Sequence, residues 1–282
     1  MGTSQSSKGP GSGIPMVPPW TPDPPSEDMP ELGPNVIDSE SDEEDVSETP
    51  SLEPVPLAPK HRFSGARLSL GKYARSGDRN DMMRGLGRYV QKGYGGSRIA
   101  NRRFAGTART AEKLGAVLAD LAAGQATSPG SLLDPALLAG RTAEEVMEAV
   151  VKAVCPVDGT QDTEAERSSI PDALSELFTR FPDADLLNLD SDQRDYVIEQ
   201  FTAISVFRRF DLDLGKTIQE KASNATEALK RLNGVRDYII QSVAASFRKL
   251  RAAGRTMKSR RIGRVVQDVL KETFEVFEGY AT

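Results

Sequence analysis

The sequence has little of the chemistry on which most enzyme and metal sites depend. Its 282 residues include one cysteine, Cys155, and one histidine, His61. A lone cysteine excludes an intramolecular disulfide, and the two residues are too few for the usual Cys/His zinc clusters. A catalytic Cys–His pair is not expected, because His61 lies at the edge of the N-terminal segment and Cys155 at the end of a predicted helix. We therefore predict no catalytic residues, no metal site and no cofactor, and a protein that is not an enzyme.

Long hydrophobic runs are also missing. No apolar stretch approaches the roughly 18 residues that a membrane-spanning helix requires. The N-terminus has neither the basic nor the apolar region of a secretory signal. A single cysteine suits a reducing compartment. The sequence therefore predicts a cytoplasmic protein with no membrane partner.

Basic residues are almost absent from residues 1–59, which contain one lysine, no arginine, twelve Asp or Glu and thirteen of the eighteen prolines. Such a composition cannot bury enough apolar surface to offset the entropy of ordering the chain. We therefore expect a disordered, acidic, Gly/Pro-rich tail. The only tryptophan, Trp20, lies in it and could anchor the tail to a partner or pack on the folded part of the chain.

Positive charge concentrates directly after this tail. Residues 60–113 carry 14 basic and 3 acidic groups, and a second basic cluster follows between residues 248 and 264. Arginines interleaved with aromatic rings suit contact with phosphates and stacked bases, whereas an acidic protein surface, including the chain's own tail, would attract the same charges. A solvated surface without a partner is the third interpretation. The candidate binding residues are Arg98, Arg102, Arg103, Arg109, Arg255, Lys258, Arg260 and Arg261.

The apolar pattern after the tail is helical throughout. Ser97 is a plausible cap for a helix that reaches Ala123, and Thr142 with Glu145 forms a capping box that opens another. We expect a polar loop over 157–169 and a short helix with Pro171 in its first turn. Asp190 or Ser191 caps the helix that follows.

The strongest period covers residues 211–253, where apolar residues recur at steps of three and four. It predicts one long amphipathic helix, which Asn233-Gly234 could kink, and a final helix covers about 259–278. The fold class is an all-α helical bundle with this long C-terminal helix, preceded by the disordered tail. The predicted segments are the tail 1–59, a basic Gly-rich segment 60–113 and a helical domain 114–282.

A combination of short motifs resembles the QatB family, a component of the bacterial Qat anti-phage system. The resemblance extends over nearly the whole chain. The motifs are Met1-Gly2-Thr3-Ser4, Pro18-Pro19-Trp20, Arg62-Phe63, Tyr73-Ala74-Arg75-Ser76-Gly77, Tyr94-Gly95-Gly96, Arg102-Arg103, Gly106-Thr107-Ala108-Arg109-Thr110, Arg180-Phe181-Pro182-Asp183-Ala184-Asp185 and Phe207-Arg208-Arg209-Phe210.

The resemblance implies three partner proteins encoded at the same locus. They are a P-loop ATPase (QatA), a protein similar to the 7-cyano-7-deazaguanine synthase QueC (QatC), and a TatD-like nuclease (QatD). QueC-like enzymes activate a carboxylate with ATP and pass it to an amine. In some defence systems such an enzyme is understood to join a deazaguanine to a protein N-terminus.

The chain offers a suitable amine at Gly2, which becomes the N-terminus after methionine removal. Its α-amino group has a pKa of about 8 and is nucleophilic at neutral pH. Thr3, Ser4 and Trp20 belong to the tail that would bind the partner. We expect a non-catalytic subunit that presents Gly2 for nucleobase-type modification while its helical domain binds partners such as the ATPase. The alternative is a nucleic-acid-binding sensor that uses the basic surfaces at 60–113 and 247–264. Myristoylation of Gly2 fits the same motif but requires a eukaryotic enzyme.

Overall fold

The computed structural model describes residues 61–125, 130–156, 161–255, 257 and 261–281, with the backbone alone for residues 161 and 162. These ranges form α-helices, π-helical turns and loops and contain no strand, so the predicted all-α class is confirmed. None of their helices combines the length and the apolar character needed to cross a membrane. The predictions for the tail 1–59, Gly2, Thr3, Ser4, Trp20, Lys258 and Arg260 lie outside the described residues.

Eleven α-helices follow one another along the described ranges. Two π-helical turns, Tyr89–Tyr94 and Asp211–Gly215, continue directly from the helices before them. The helices are α1 (Ser64–Ser76), α2 (Arg79–Arg88), α3 (Ser97–Arg103), α4 (Ala105–Ala122), α5 (Pro135–Leu138), α6 (Ala143–Val154), α7 (Gln161–Arg180), α8 (Ser191–Phe210), α9 (Lys216–Lys221), α10 (Ala225–Ala252) and α11 (Ile262–Glu278).

Two helices begin where local chemistry predicts. The Thr142 hydroxyl accepts the Glu145 N–H at 3.2 Å, and the Glu145 carboxylate accepts the Thr142 N–H at 2.9 Å. At α8, Asp190 and Gln193 exchange the same two bonds, so Asp190 rather than Ser191 is the cap. Both capping boxes satisfy N–H groups that have no partner within their own helix.

The long helix predicted over 211–253 is divided at Ala222–Asn224, between α9 and α10. Ile218 on α9 and Val235 on α10 are buried, but Leu229, an apolar residue of the same period near the start of α10, is 60% exposed. The predicted stripe is therefore not buried continuously across the break between the two helices. Asn224 caps α10 by accepting the Glu227 N–H at 2.8 Å.

Gly234 lies inside α10 and does not interrupt it. A Cβ at this position would lie 2.6 Å from the Tyr73 hydroxyl oxygen, and that hydroxyl donates to the Arg231 carbonyl at 3.1 Å. Glycine is therefore required here by the close approach of α1.

Three other local predictions were wrong. Ser97 is not the cap of α3 but its first residue, and it follows the cap Gly96. The helix predicted to reach Ala123 is interrupted at Phe104. The loop expected over 157–169 is helical from Gln161, so Pro171 lies inside α7 and not in its first turn. Phe104 is at once the C-cap of α3 and the N-cap of α4.

The core is organised around α8. Residues 200–206 of this helix are buried consecutively, as expected for a helix that is surrounded on all sides. It packs against α7, α4 and α10, while α11 lies across α3, α4 and α10. The described part of the 60–113 segment forms α1, α2, α3 and the first half of α4, and α1 packs on α2 and α9.

Candidate functional site

A polar cleft of about 230 Å³ opens where α3 turns into α4, beside α7 and α8. Three arginines line it, and we call it the arginine cleft. The residues around it are Tyr94, Arg103, Phe104, Gly106, Thr107, Arg109, Thr163, Ala165, Glu166, Ser205 and Arg209.

The three arginines come from three different helices. Arg103 ends α3, Arg109 lies in the second turn of α4, and Arg209 lies in the last turn of α8. Arg109 is exposed and has no ion pair within the described ranges. Burial opposes the charge of Arg209, but Tyr94, Asp213 and Tyr89 favour it, and the pKa of Arg209 is raised above its usual value. The cleft is therefore permanently cationic on these sides.

Among the described residues that line the cleft, Glu166 supplies a carboxylate. Glu166 on α7 accepts the hydroxyl of Thr107 through Oε1 at 3.1 Å and the hydroxyl of Thr110 through Oε2 at 2.6 Å. Each of its oxygens is therefore tied to α4, which fixes the carboxylate on one wall. Its negative charge partly balances the arginines.

The cleft also contains a polar atom with no hydrogen bond. Ser205 on α8 is only 4% exposed, and its Oγ has no hydrogen-bond partner within the described ranges. A helical serine can usually bond to the carbonyl four residues earlier. An unpaired buried hydroxyl costs about 1–3 kcal/mol.

Behind the cleft, the two π-helical turns are joined by hydrogen bonds. Tyr89 and Tyr94, the ends of the first turn, each donate a hydroxyl to Oδ2 of Asp213 in the second turn, both at 2.9 Å. The Nε of Arg209 lies 3.8 Å from the same oxygen. We call Tyr89, Tyr94, Asp213 and Arg209 the tyrosine clasp. It positions two residues of the cleft, Tyr94 and Arg209.

Burial is the main reason that the pKa values of both clasp tyrosines are raised, that of Tyr89 the more strongly, and the negative charge of Asp213 adds to it. Both hydroxyls therefore keep their protons at neutral pH and act as donors. The rings also belong to a continuous aromatic cluster. Phe63 stacks on Tyr89 with centroids 5.4 Å apart, and Phe104 meets Phe274 at 5.0 Å.

Of the arginines predicted between residues 98 and 109, the structure brings Arg103 and Arg109 into the cleft. Arg98 and Arg102 are exposed on α3 and do not line it. Sequence reasoning missed Arg209, Glu166 and Ser205, which lie on α7 and α8.

Of the four candidate binding residues in the second basic cluster, the structure describes Arg255 and Arg261, and both are exposed. Arg255 pairs with Asp268 of α11 at 2.6 Å. Its neighbours Arg251 and Lys249 pair with acids from other helices, Glu199 and Glu272. The fold therefore supplies negative charge that the local sequence of this cluster does not contain.

No group of three potential metal-ligating side chains comes together in the part of the chain that the structure describes. Cys155 is buried at the end of α6, and its thiol donates to the Thr163 carbonyl at 3.6 Å.

Residues 95–277 match the family model described as "QatB: Qat anti-phage system associated protein QatB". The chain belongs to the QatB family. It is therefore a component of an anti-phage defence system. The matched range includes every residue of the arginine cleft except Tyr94, which precedes it by one position. No curated protein and no solved structure matches the chain.

Proposed function

We propose that this QatB-family chain is a non-catalytic subunit of the Qat defence complex. Its N-terminal segment presents Gly2 to the QueC-like partner for modification, and its helical body binds partners such as the ATPase. The TatD-like nuclease is the remaining candidate partner. The cytoplasm is the proposed compartment.

The position at which the core begins supports the assignment of different roles to the N-terminal segment and the helical body. Phe63 is only 6% exposed, and its ring stacks on the buried Tyr89. Pro59, four residues earlier, is the last proline of the acidic segment. The chain therefore changes over a few residues from a composition that cannot build a core to side chains that belong to one.

The chemistry of Gly2 suits a transfer from an activated carboxylate. The free α-amine would attack the activated carbonyl carbon, an amide bond would form, and the activating group would leave with its electron pair while the amine loses a proton. Gly2 has no side chain to obstruct this attack. At neutral pH a useful fraction of the amine is unprotonated, because its pKa is about 8.

The test is the intact and N-terminal peptide mass of the protein, expressed with the QueC-like partner and with an inactive variant of it. We expect a mass increase on Gly2 only with the active partner. Gly2→Pro should abolish it, because proline replaces the primary amine with a hindered secondary one. Lys8→Arg is the matched control, since it removes the one side-chain amine of residues 1–59 and leaves Gly2 intact, and it should still be modified. An unmodified Gly2 in cells that resist phage would refute the proposal.

Nucleic-acid binding is the second candidate function. The observation that favours it is that Arg98, Arg102 and Arg109 are exposed, with no ion pair within the described ranges. Arg255, by contrast, is paired with Asp268. Affinity for single-stranded DNA should therefore fall steeply with salt, with a log–log slope that decreases by about 0.7 for each phosphate contact removed. Arg98→Ala with Arg102→Ala should reduce this slope, whereas Arg255→Ala should not. Equal slopes for all these proteins would rule out specific contacts by α3.

A further inference from the structure

We propose that the arginine cleft is a binding site for a phosphate group, held by Arg103, Arg109 and Arg209 with Ser205 as an additional donor. This inference concerns a ligand of the helical body and does not depend on the modification of Gly2. It starts from two independent observations, the convergence of the arginines and the unpaired hydroxyl of Ser205.

The arginines suit a phosphate because they approach from separate helices. A guanidinium presents its N–H donors in a planar fork that matches oxyanions. A terminal phosphate offers three acceptor oxygens and a charge of about −1.5 to −2 at neutral pH. Arg103 and Arg109 lie on either side of the turn at Phe104, while Arg209 comes from α8. A multidentate dianion can contact several of these donors together.

The hydroxyl of Ser205 is the observation that most directly indicates a ligand. It lies in a buried position on the wall of the cleft, and no group within the described ranges accepts a hydrogen bond from it. A phosphate oxygen would accept this hydrogen bond and remove the cost of leaving the hydroxyl unpaired. The volume of about 230 Å³ is below the usual range of pockets for drug-sized ligands, and it suits one phosphate with a small part of what it is attached to.

Glu166 sets the strength of the site. Its carboxylate is held by hydrogen bonds from Thr107 and Thr110 of α4, and it repels an anion in the same cleft. Removing this charge should therefore strengthen phosphate binding, whereas removing the charge of Arg109 should weaken it. A delocalised basic surface would not give these opposite effects at defined positions.

The first experiment is calorimetric titration of the full chain with inorganic pyrophosphate at constant ionic strength. Arg109→Ala should weaken binding by about tenfold or more, because a charge-assisted hydrogen bond is lost. Ser205→Ala should weaken it by about threefold to tenfold. Glu166→Gln should strengthen it by about threefold or more, because a nearby like charge is removed. Arg180→Ala is the matched control, since Arg180 is exposed at the end of α7 and does not line the cleft, and it should leave the affinity unchanged.

A second set of titrations separates the sources of the phosphate. Adenosine monophosphate is compared with adenosine, and a 5′-phosphorylated hexanucleotide with its 5′-hydroxyl form. Stronger binding of the nucleotide than of the nucleoside assigns the site to free nucleotides. Stronger binding of the phosphorylated oligonucleotide alone assigns it to a nucleic-acid end.

Absence of binding by every phosphate probe would overturn the proposal. Equal losses in Arg109→Ala and Arg180→Ala would also overturn it, since they would indicate general charge attraction. Unchanged affinity in Glu166→Gln would show that the anion lies elsewhere. Thermal unfolding of each variant checks that the helical body is intact.

Discussion

Asp213 should be one of the most sensitive polar residues of the fold. Its Oδ2 accepts hydroxyl hydrogen bonds from Tyr89 and Tyr94 and lies near Arg209. Asp213→Ala removes this oxygen, which joins all three groups. The two π-helical turns would then lose both tyrosine hydrogen bonds to Asp213, and Arg209 would lose a group that positions it in the cleft.

The magnitude follows from the two lost bonds. Hydrogen bonds to a charged acceptor contribute about 1.5–3 kcal/mol each, so the upper limit is about 3–6 kcal/mol. Two features reduce this value. The tyrosine hydroxyls lie 3.2 Å apart and can bond to each other, and the Asp213 side chain is 15% exposed, so water can replace it. We therefore expect a loss of about 2–4 kcal/mol in the free energy of unfolding.

Urea unfolding measured by circular dichroism gives this free energy directly. In thermal scans the same loss should lower Tm by about 4–16 °C, at about 2–4 °C per kcal/mol for a domain of this size. Glu220→Ala is the control, because it removes an exposed carboxylate 3.7 Å from Lys216 on the neighbouring helix α9. It should cost less than about 0.5 kcal/mol.

A double-mutant cycle with Tyr89→Phe isolates the contribution of the Tyr89 hydrogen bond. The coupling energy between Tyr89→Phe and Asp213→Ala should be about 1 kcal/mol or more, since the two residues are in direct contact. If Asp213→Ala costs no more than Glu220→Ala, or if the coupling is near zero, the tyrosine clasp does not stabilise the fold as argued.

Three further predictions concern stability. Gly87→Ala should destabilise the fold by about 1–3 kcal/mol, because the new Cβ would lie 2.5 Å from the backbone nitrogen of Ala281. Gly65→Ala should stabilise the fold by about 0.5–1 kcal/mol, because the nearest atom to its new Cβ lies at 3.5 Å. Equal melting temperatures for the two would contradict this. Thr142→Ala should cost about 1 kcal/mol in urea unfolding, and Thr142→Ser should restore most of it. Burial, helped by a hydrogen bond to Tyr280, raises the pKa of Tyr238 from 10.0 to about 12. The stability that Tyr238 contributes is therefore complete below pH 10 and is lost as the pH rises to about 12. Tyr238→Phe should abolish both this pH-dependent loss of stability and the step in ultraviolet absorbance that accompanies ionisation of the tyrosine.

The features that sequence reasoning predicted correctly depend on neighbouring residues. The capping box at Thr142, and the cap that the sequence assigned to Asp190 or Ser191, involve groups within three residues of each other, so their chemistry is visible in the sequence. The recurrence of apolar residues at steps of three and four likewise depends only on positions within a single helix. The break before α10 left a signal of the same kind, because Asn224 is followed three residues later by Glu227, the residue whose N–H it caps. The continuous apolar stripe concealed it.

The arginine cleft shows the opposite case. Arg103 and Arg109 could be proposed as binding residues because they are close together in a basic segment. Nothing in the sequence near Glu166 or Ser205 indicates that they face those arginines, since they lie about 60 and 100 positions later. The same limitation applies to the C-terminal basic cluster, whose acidic partners come from other helices.

By itself, the sequence determined the all-α class and several helix starts, because periodicity and capping act over distances of three or four residues. Motifs along the chain also indicated the QatB family. Tertiary structure alone decided which charges pair across helices, where two π-helical turns meet at Asp213, and that Ser205 lies buried in a cleft lined by three arginines. Burial and pairing depend on helices far apart in sequence, and only their packing brings those side chains within hydrogen-bonding distance.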